Sequence, residues 1–473
     1  MAQTFSENNI CIIANRSKTW FYDDLVKKME LGKNNVFWIV TGQPWLKVLK
    51  EAGYPDSNIL YYEVTKTEKE TDQSWLAELE QSMSMPIWQL IGTDRFLSKR
   101  TNHPDRFLNR VGKSIESFLI DNNIFKCFGE TTWSVELLTY YIAKRASIQY
   151  LIPHTIRIPS ERFAFFTDPF QSNFIRLGTN QHDWDITYLE MIEKMLNDGN
   201  IPRPNYWYIN NKVPAVHLNY VSKFVRFLSE ELFGQARTEY MDYTLLERIK
   251  NKTHIILNKY QIAELPFEVN FEATEQNRFA LFTLHKQPEA SIDVMGGVYT
   301  NQLALIEILS KLLPVNCTLL VKEHSNAIGD RGRDFYNSII SMKNVRIVDP
   351  WVNSHDLLKQ IDIVFSVSGT IGMEASIMGK KAVLFCPTFF TKMPNVYFIN
   401  DLTSIKKVLA APCTDQRSEL LEFYKDLIIN SYEGLIGDPV CSPASMTEGN
   451  LELVSIAFKD VLTINQMESV TSG

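Results

Sequence analysis

The stretch FSVSGTIGMEA, from Phe365 to Ala375, joins an apolar segment to a helical one. Residues 361–365 are mostly apolar and predict a buried strand, and residues 370–378 predict a helix that ends at Gly379. The small serine, glycine and threonine residues between them leave the first backbone N–H groups of that helix uncovered. Because a helix N-terminus carries a partial positive charge, this turn predicts a site for a phosphate group.

The same alternation of strand and helix extends on both sides of this stretch. It is regular in the C-terminal half and looser in the N-terminal half, where a helix is also predicted at 215–232. Such alternation is typical of parallel sheets with crossover helices and predicts an α/β fold with two Rossmann-like domains and a ligand cleft between them. The predicted divisions are an N-terminal domain at 1–268, a C-terminal domain at 269–440 and a tail at 441–473.

Composition excludes several classes of protein. Hydrophobic residues make up 45% of the chain and charged residues 22%, as in soluble globular proteins. With 48 basic and 55 acidic residues the net charge is −7, which does not favour nucleic-acid binding. No run approaches the roughly 18 apolar residues of a membrane helix, and the first residues lack the pattern of a signal peptide. The six cysteines form no CxxC pair and are predicted to be reduced, in a cytoplasmic protein.

Polar side chains follow the two predicted strands at 279–284 and 317–322. Gln287 and Glu289 lie in the first of these loops, and Lys322 and His324 lie at the second. An imidazole and an ammonium group suit a phosphate or carboxylate oxygen. Taken alone, each loop is more simply explained as an ordinary polar loop or a strand end with exposed charges. Because the carboxyl ends of parallel strands meet at one sheet edge, three such loops together favour a ligand site.

Three motifs stand in order after these strands: Gln287-Pro288-Glu289, Lys322-Glu323-His324, and Ser368-Gly369-Thr370 with Glu374-Ala375. Together they resemble the signature of bacterial capsule and surface-polysaccharide glycosyltransferases, which are described by a QP and an HP motif. That family consists of two-Rossmann enzymes of the GT-B type and includes capsular Kdo transferases and relatives that use other CMP-activated acidic sugars. The resemblance covers about residues 278–395. It departs from the HP motif at Ser325, where the family has proline.

The resemblance implies that the C-terminal domain binds a nucleotide-sugar donor, with CMP-activated Kdo or nonulosonic acid favoured. Glu374 is then expected to contact hydroxyl groups of the ribose or sugar. The C-terminal domain contains no DxD sequence of the metal-binding type, so neither a metal nor another cofactor is required. The residues implied for the donor are Gln287, Glu289, Lys322, His324, Ser366, Ser368, Gly369, Thr370, Gly372 and Glu374.

The catalytic carboxylate is expected from the N-terminal half, to which the resemblance extends more weakly. Glu130 is the first candidate because it follows an apolar strand, where burial would raise its pKa towards that of a general base. A glutamate favoured by the helix dipole is an equally good explanation. Asp94 is the second candidate, with a structural ion pair as the alternative, and His324 completes the catalytic set. Arg95 and Arg157 are candidates for binding an anionic acceptor, or for pairing with acidic neighbours.

The leading hypothesis is a bacterial glycosyltransferase that moves a sugar onto a glycan or lipid-linked glycan. Peripheral contact with the inner face of the cytoplasmic membrane, through Trp20, Phe21, Lys27 and Lys28, is one interpretation of the first helix, and a half-buried amphipathic helix is the other. Two alternatives to the leading hypothesis remain open. A non-hydrolysing UDP-sugar epimerase would need no acceptor, and a catalytically silent GT-B scaffold would bind no nucleotide.

Overall fold

The structure, a computed structural model, describes residues 8–65, 67–69, 72–177, 183–198, 201, 243–413 and 416–464. The helix predicted at 215–232 lies outside these residues. The chain forms two compact units. Unit 1 contains the described residues of Met1–Lys194 and Leu421–Gly473, and unit 2 contains those of Met195–Arg237 and Asp242–Leu420.

Strands and helices alternate along both units, as the sequence predicts. The strands are β1 Asn9–Ala14, β2 Val36–Val40, β3 Ile59–Tyr61, β4 Ile124–Phe128, β5 Gln149–Thr155, β6 Arg162–Phe166, β7 Arg278–Thr283, β8 Cys317–Lys322, β9 Val345–Val348, β10 Ile363–Ser366, β11 Lys381–Leu384, β12 Val396–Phe398 and β13 Tyr432–Glu433.

The α-helices of the described residues connect these strands. They are α1 Lys18–Met29, α2 Gln43–Glu51, α3 Ser74–Gln81, α4 Ile87–Thr93, α5 Leu97–Arg100, α6 Pro104–Asp121, α7 Ser134–Arg145, α8 Asp183–Asp198, α9 Leu245–Ile262, α10 Ala290–Asp293, α11 Gln302–Leu312, α12 Arg333–Ile340, α13 Ser354–Lys359, α14 Ile371–Ile377, α15 Ile405–Ala410, α16 Arg417–Ile429 and α17 Glu448–Thr463.

The sheet of unit 1 has the order β13-β6-β5-β4-β1-β2-β3 among the described residues. Strands β1 to β5 pair in parallel, and β6 and β13 are antiparallel additions at one edge. All five residues of β2 are buried, as are five of the six of β1, because helices cover both faces of a parallel sheet. The strand order reverses between β1 and β4, so the loops that follow these two strands lie side by side.

The sheet of unit 2 is parallel throughout, with the order β12-β11-β10-β7-β8-β9. This is the strand order of a six-stranded Rossmann sheet, and it reverses between β7 and β10. Two Rossmann-type sheets with crossover helices confirm the predicted α/β fold. In each unit, the pair of strands at which the order reverses is called here the reversal point.

The end of the chain, from Leu421, returns to unit 1, whereas the sequence predicted a separate tail at 441–473. The described residues of unit 2 also begin before the predicted division at 268 and end before the one at 440. Helix α17 packs on α1 and buries Val454, Phe458 and Val461 in the core of unit 1. These residues recur at the i, i+4, i+7 spacing of an amphipathic helix. The buried Lys126 on β4 donates hydrogen bonds to the Val461 and Ile464 carbonyl oxygens, which fixes the C-terminal end of the helix.

Helix α1 is half-buried, as expected from its interpretation as an amphipathic helix that packs on the protein. Phe21 is in the core, while Trp20 is 45% exposed and packs edge-on against Trp45 at 5.1 Å between ring centroids. Lys28 forms an ion pair with Glu448 at 2.8 Å. Membrane contact by this surface stays a prediction. In the described ranges no helix is both long and apolar enough to cross a bilayer.

Candidate functional site

The reversal point of unit 2 brings together the loops after β7 and β10. His285 Nε2 lies 3.1 Å from Ser366 Oγ and accepts the backbone N–H of Ser368 at 3.3 Å. The imidazole is buried, and since Nε2 accepts a hydrogen bond, the neutral ring carries its hydrogen on Nδ1. His285 lies in the same loop as Gln287 and Glu289 and was not among the site residues predicted from sequence. It is the residue that joins the first motif to the third.

Ser366 holds the turn that follows β10. Its fully buried hydroxyl oxygen lies 3.2 Å from both the Thr283 hydroxyl and the Gly369 backbone nitrogen. A Cβ atom added at Gly369 would lie 2.5 Å from Ser366 Oγ, so the turn requires glycine there. The hydroxyl of Ser368 donates to the Ser291 carbonyl. Both predicted serines therefore use their hydroxyl groups to shape the site.

Helix α14 begins directly after this turn, as predicted, and is seven residues long. The backbone N–H groups of Thr370 and Ile371 have no hydrogen-bond acceptor among the described residues. Gly372 packs the helix against β11, since a Cβ atom there would lie 3.0 Å from Leu384 Cδ2. Because so short a helix has a weak dipole, binding of an anion here depends mainly on the side chains of neighbouring loops.

Gln287 is held within its own loop. Its Nε2 donates to Asp293 Oδ1 at 3.0 Å and to the Thr300 carbonyl at 3.4 Å, while its Oε1 accepts from Gln302 Nε2 at 3.0 Å. Glu289 is exposed, and its backbone N–H donates to Asp293 Oδ2 at 2.9 Å. The QP segment therefore has an ordered shape that its own polar groups maintain.

Gln302, at the start of α11, was not found by sequence reasoning. Its side chain accepts from the His285 backbone N–H at 2.7 Å and donates to the His285 carbonyl at 3.2 Å. The amide thus fixes the backbone on which the imidazole is mounted. A glutamine at a helix start carries no sequence signal for this long-range role.

The loop after β8 supplies Lys322 and His324. Lys322 Nζ donates to the Pro350 carbonyl at 3.0 Å, and burial lowers the pKa of this lysine to about 8. His324 Nδ1 accepts the Asn326 backbone N–H at 3.1 Å, so the neutral ring presents its hydrogen on Nε2. Burial, with Lys322 and Lys286 nearby, lowers the pKa of His324 to about 4. At pH 7 the ring of His324 is therefore a neutral N–H donor.

Glu323, the middle residue of the second motif, holds the loop after β8 in place through its carboxylate. Its carboxylate accepts from Arg331 Nη1 at 2.7 and 2.8 Å and from the Tyr336 hydroxyl at 2.7 Å. Arg331 also donates to the His285 carbonyl, which ties the loop after β8 to the loop after β7. Burial raises the pKa of Glu323, and the opposing arginine favours its charged form.

The electrostatics of this edge favour an anionic ligand. Burial, followed by the nearby His324 and Arg331, lowers the pKa of His285 to about 3. Both histidines are therefore neutral hydrogen-bond donors at pH 7, in a region where Lys286 and Lys322 contribute positive charge. Arg331 is already neutralised by Glu323. This arrangement can donate hydrogen bonds to a phosphate and attract its charge.

Glu374 lies on α14 and faces the loop after β9. Its Oε2 is 3.1 Å from His355 Nε2, and both side chains are mostly buried. The His355 backbone N–H donates to Asn353 Oδ1 at 2.9 Å. Contact of Glu374 with sugar hydroxyls stays a prediction, and His355 is a neighbour that the sequence analysis did not identify.

The reversal point of unit 1 brings the loops after β1 and β4 together in the same way. Lys18, the first residue of α1, forms an ion pair with Glu130. The Glu130 carbonyl accepts the Tyr150 hydroxyl at 2.7 Å, and a Cβ atom at Gly129 would lie 2.4 Å from that hydroxyl oxygen. Burial lowers the pKa of Lys18 to about 8. The first predicted carboxylate is thus paired with a lysine 112 residues away.

A second glutamate, Glu136, is more deeply buried than Glu130. Its Oε2 accepts the backbone N–H of Thr132 at 2.5 Å, the Thr132 hydroxyl at 2.8 Å and the Trp133 N–H at 3.2 Å. The residue is 1% exposed, and burial raises its pKa. The glutamate on which burial acts in this region is therefore Glu136, which was not among the residues predicted from sequence.

Asp94, the second predicted carboxylate, has structural partners. Its Oδ1 accepts the backbone N–H groups of Phe96 and Leu97 at 3.0 and 2.9 Å, and its Oδ2 accepts the Ser134 hydroxyl at 2.6 Å. These bonds hold the start of α5 and tie it to α7. They favour the structural alternative for Asp94.

The two predicted acceptor arginines lie in different places in unit 1. The guanidinium of Arg95 lies 4.9 Å from the Trp133 ring centroid. Arg157 follows β5, and its backbone N–H donates to Thr155 Oγ1 at 3.1 Å. Arg157 also adds to the effect of burial in lowering the pKa of His154 to about 3. Their binding of an acceptor stays a prediction.

Metal-ligating side chains do not cluster in the part of the chain that the structure describes. No group of three or more His, Cys, Asp or Glu side chains there could hold an ion.

Comparisons with known proteins add little to this geometry. No family model and no curated protein matches the chain. Among solved structures, two KpsC proteins of Thermosulfurimonas dismutans are similar to it. The β-Kdo 2,4-transferase is 13% identical over 71% of this chain and 87% of its own, with a TM-score of 0.33. The β-Kdo 2,7-transferase is 11% identical over 74% and 89%, with a TM-score of 0.35.

A UDP-GlcNAc 2-epimerase of Methanocaldococcus jannaschii is also similar, with 12% identity, a TM-score of 0.25 and coverage of 86% of this chain and 94% of its own. TM-scores this low carry no argument about activity. The function is therefore argued from the residues of the site.

Proposed function

We propose that the protein is a glycosyltransferase that binds a nucleotide-sugar donor at the carboxyl edge of the unit 2 sheet. The observation that supports this most is the contact of His285 with Ser366 and Ser368, which joins two of the three motif loops at the reversal point. Arg331 connects the third motif loop to these two by donating a hydrogen bond to the His285 carbonyl. Ligands of doubly wound sheets bind at this place in the fold.

The donor's phosphate is proposed to accept hydrogen bonds from the Nε2–H of His324 and the backbone N–H groups of Thr370 and Ile371. Lys286 and Lys322 provide positive charge for the same group. As the bond between the anomeric carbon and the phosphate oxygen breaks, negative charge develops on the departing nucleotide. Donors that are already in position stabilise this charge without reorganisation.

A CMP-activated acidic sugar, such as Kdo or a nonulosonic acid, is the proposed donor. Such a molecule carries one phosphate and one carboxylate, and two lysines beside two neutral histidines suit these anionic groups. The choice of CMP over UDP rests on the resemblance of the three motifs to the capsule glycosyltransferases.

The acceptor is proposed to be a hydroxyl group of a glycan or lipid-linked glycan, and Glu130 is the proposed base. Its carboxylate forms an ion pair with Lys18 at the reversal point of unit 1, and a positioned carboxylate can accept the proton of an attacking hydroxyl group. The hydroxyl loses its proton to the carboxylate as its oxygen bonds to the anomeric carbon. Peripheral binding to the cytoplasmic membrane would bring a lipid-linked acceptor within reach.

A thermal-shift screen against CMP, UDP, GDP and their sugar conjugates tests this proposal. The true donor should raise the melting temperature of the wild-type protein, and by more the more tightly it binds. His324→Ala should lose most of that shift, whereas His254→Ala, at an exposed position on α9, should keep it. Absence of any shift at millimolar nucleotide would contradict the donor site and favour a silent scaffold.

Turnover then separates the two enzyme classes. A transferase should release its nucleotide only slowly until a glycan acceptor is added. Conversion of a UDP-sugar to its epimer without any acceptor would instead identify an epimerase and overturn the proposal.

A further inference from the structure

The reversal point of unit 1 holds buried hydrogen-bond acceptors without donors. Glu136 Oε2 accepts three hydrogen bonds, but Oε1 of the same carboxylate is buried and has no partner in the described residues. Asn15 Oδ1 is likewise buried and without a partner. A buried polar atom left without a hydrogen bond costs free energy, so such atoms are rare unless a ligand or water serves them.

The hydrogen-bond network determines the chemistry of both orphan atoms. The Thr132 hydroxyl donates to Glu136 Oε2, so its oxygen accepts from Asn15 Nδ2 at 3.2 Å. The amide of Asn15 is thereby oriented, and its other atom is an oxygen. Both unpartnered atoms are therefore hydrogen-bond acceptors, and each belongs to a side chain that is hydrogen-bonded to Thr132.

The two orphan acceptors and the acidic groups near them disfavour an anionic ligand. Glu130, Glu136 and Asp438 are acidic, and Lys18 pairs with Glu130 and is attracted to the other two. Arg16 follows Asn15 in the same loop, and Arg157 follows β5. A phosphate or carboxylate would bring more acceptors and more negative charge to two atoms that need donors. A hydroxyl group brings a donor and no charge.

We propose that Asn15, Lys18, Glu130 and Glu136 form a binding site for a neutral, hydroxylated sugar ring. Glu136 and Asn15 accept hydrogen bonds from two of its hydroxyl groups, and Glu130 faces the hydroxyl that reacts. Glu136 is a positioning residue in this arrangement. The inference rests on the proposed glycosyl transfer for its biological sense and names the acceptor as an uncharged sugar, in place of the anionic acceptor predicted from Arg95 and Arg157.

Binding of simple glycosides to the full-length protein tests the inference. The probes are the methyl glycosides of glucose, galactose and N-acetylglucosamine, with methyl glucuronide as the charged counterpart of the glucoside. Saturation-transfer NMR should detect at least one neutral glycoside with a millimolar Kd, and the glucuronide should bind at least tenfold more weakly. Tighter binding of the glucuronide would overturn the assignment of a neutral ligand.

Glu136→Gln is the decisive variant because it is nearly isosteric. The amide oxygen can replace Oε2 towards Thr132 and Trp133, while an NH2 group takes the place of the unpartnered acceptor. The Kd of the neutral glycoside should rise about tenfold, as expected for loss of a charge-assisted hydrogen bond. Glu116→Gln is the matched control, since Glu116 pairs with Arg145 and Trp75 away from this edge, and its Kd should not change.

Asn15→Ala provides a second measurement should Glu136→Gln fail to fold. It should also weaken glycoside binding, and an unchanged Kd in a folded variant of either kind would overturn the site. Nucleotide binding is measured on the same samples. If CMP or UDP binds but no neutral glycoside does, the sugar-site inference fails and the proposed function stands. If glycosides bind but no nucleotide does, the proposed function fails and the sugar site stands.

Discussion

The two reversal points have the same topology and opposite chemistry. At β1 and β4 of unit 1 the loops bring together an ion pair, Lys18 with Glu130, and buried acceptors that lack donors. At β7 and β10 of unit 2 they bring together His285 and Ser366, two neutral groups that hydrogen-bond to each other and to backbone N–H groups of the turn. Strand order therefore determines where polar side chains meet, while the loop residues determine whether the place suits a hydroxyl group or an anion.

Acid should reveal the largest shared property of the two units, because each contains a neutral histidine whose pKa is lowered mainly by burial. The pKa of His154 in unit 1 and of His285 in unit 2 is about 3, against about 6.5 in an unfolded chain. Between these values the unfolded state binds a proton that the folded state does not. The free energy of unfolding therefore keeps the full contribution of both histidines above about pH 6.5. Below that pH it should fall by about 1.4 kcal/mol per pH unit for each histidine.

Urea unfolding from pH 7 to pH 4 measures this effect. His154→Gln and His285→Gln should each reduce the slope of unfolding free energy against pH by the contribution of one histidine. His254→Gln, at an exposed position, should leave the slope unchanged. If neither His154→Gln nor His285→Gln alters the slope of unfolding free energy against pH, the two imidazoles do not control acid stability.

The glycines of the two turns should respond alike to an added methyl group. Gly129→Ala and Gly369→Ala place a Cβ atom 2.4 Å from the Tyr150 hydroxyl oxygen and 2.5 Å from Ser366 Oγ, respectively. Each should lower the free energy of unfolding by about 3 kcal/mol, as overpacking of a rigid turn does. Thermal or urea unfolding measures the loss.

Removal of the clashing oxygen separates this explanation from a general intolerance of alanine. Tyr150→Phe should restore part of the stability lost in Gly129→Ala, and Ser366→Ala should do the same for Gly369→Ala. Gly92→Ala, which meets no atom within 4 Å, is the control and should lose nothing. Double variants no more stable than the single glycine variants would contradict the steric account.

The place of both sites could be predicted from sequence, whereas their chemistry could be predicted only in part. Apolar runs alternating with helical patterns indicate parallel strands, and parallel strands place the loops after β7, β8 and β10 at one edge. Lys18 and Glu130 are 112 residues apart in the sequence, so no local sequence pattern predicts their ion pair. Burial, which makes Glu136 and His285 important, arises from packing by elements distant in sequence.

Breaking the ion pair of unit 1 should have a smaller effect than filling a turn. Lys18→Met leaves the Glu130 carboxylate without its partner and should cost about 2 kcal/mol, less than a fully buried pair would because both side chains keep some exposure. Glu130→Gln should cost less, and the double variant should recover part of the loss. A double-mutant cycle from urea unfolding gives the coupling, and a coupling of zero would contradict a pair that stabilises the reversal point.

The smallest expected effect concerns the charge that unit 2 offers to a nucleotide. Burial lowers the pKa of Lys322 to about 8, so this ammonium group is mostly charged at pH 7 and mostly neutral at pH 9. The Kd of CMP or UDP, whichever binds, should therefore rise a few-fold between these pH values as one favourable charge is lost. Lys322→Met should bind more weakly at pH 7 and show a flatter pH profile, whereas Lys311→Met, at an exposed position on α11, should retain the wild-type profile. An equally steep profile in Lys322→Met would place the titrating group elsewhere and leave the two reversal points distinguished by their histidines and carboxylates alone.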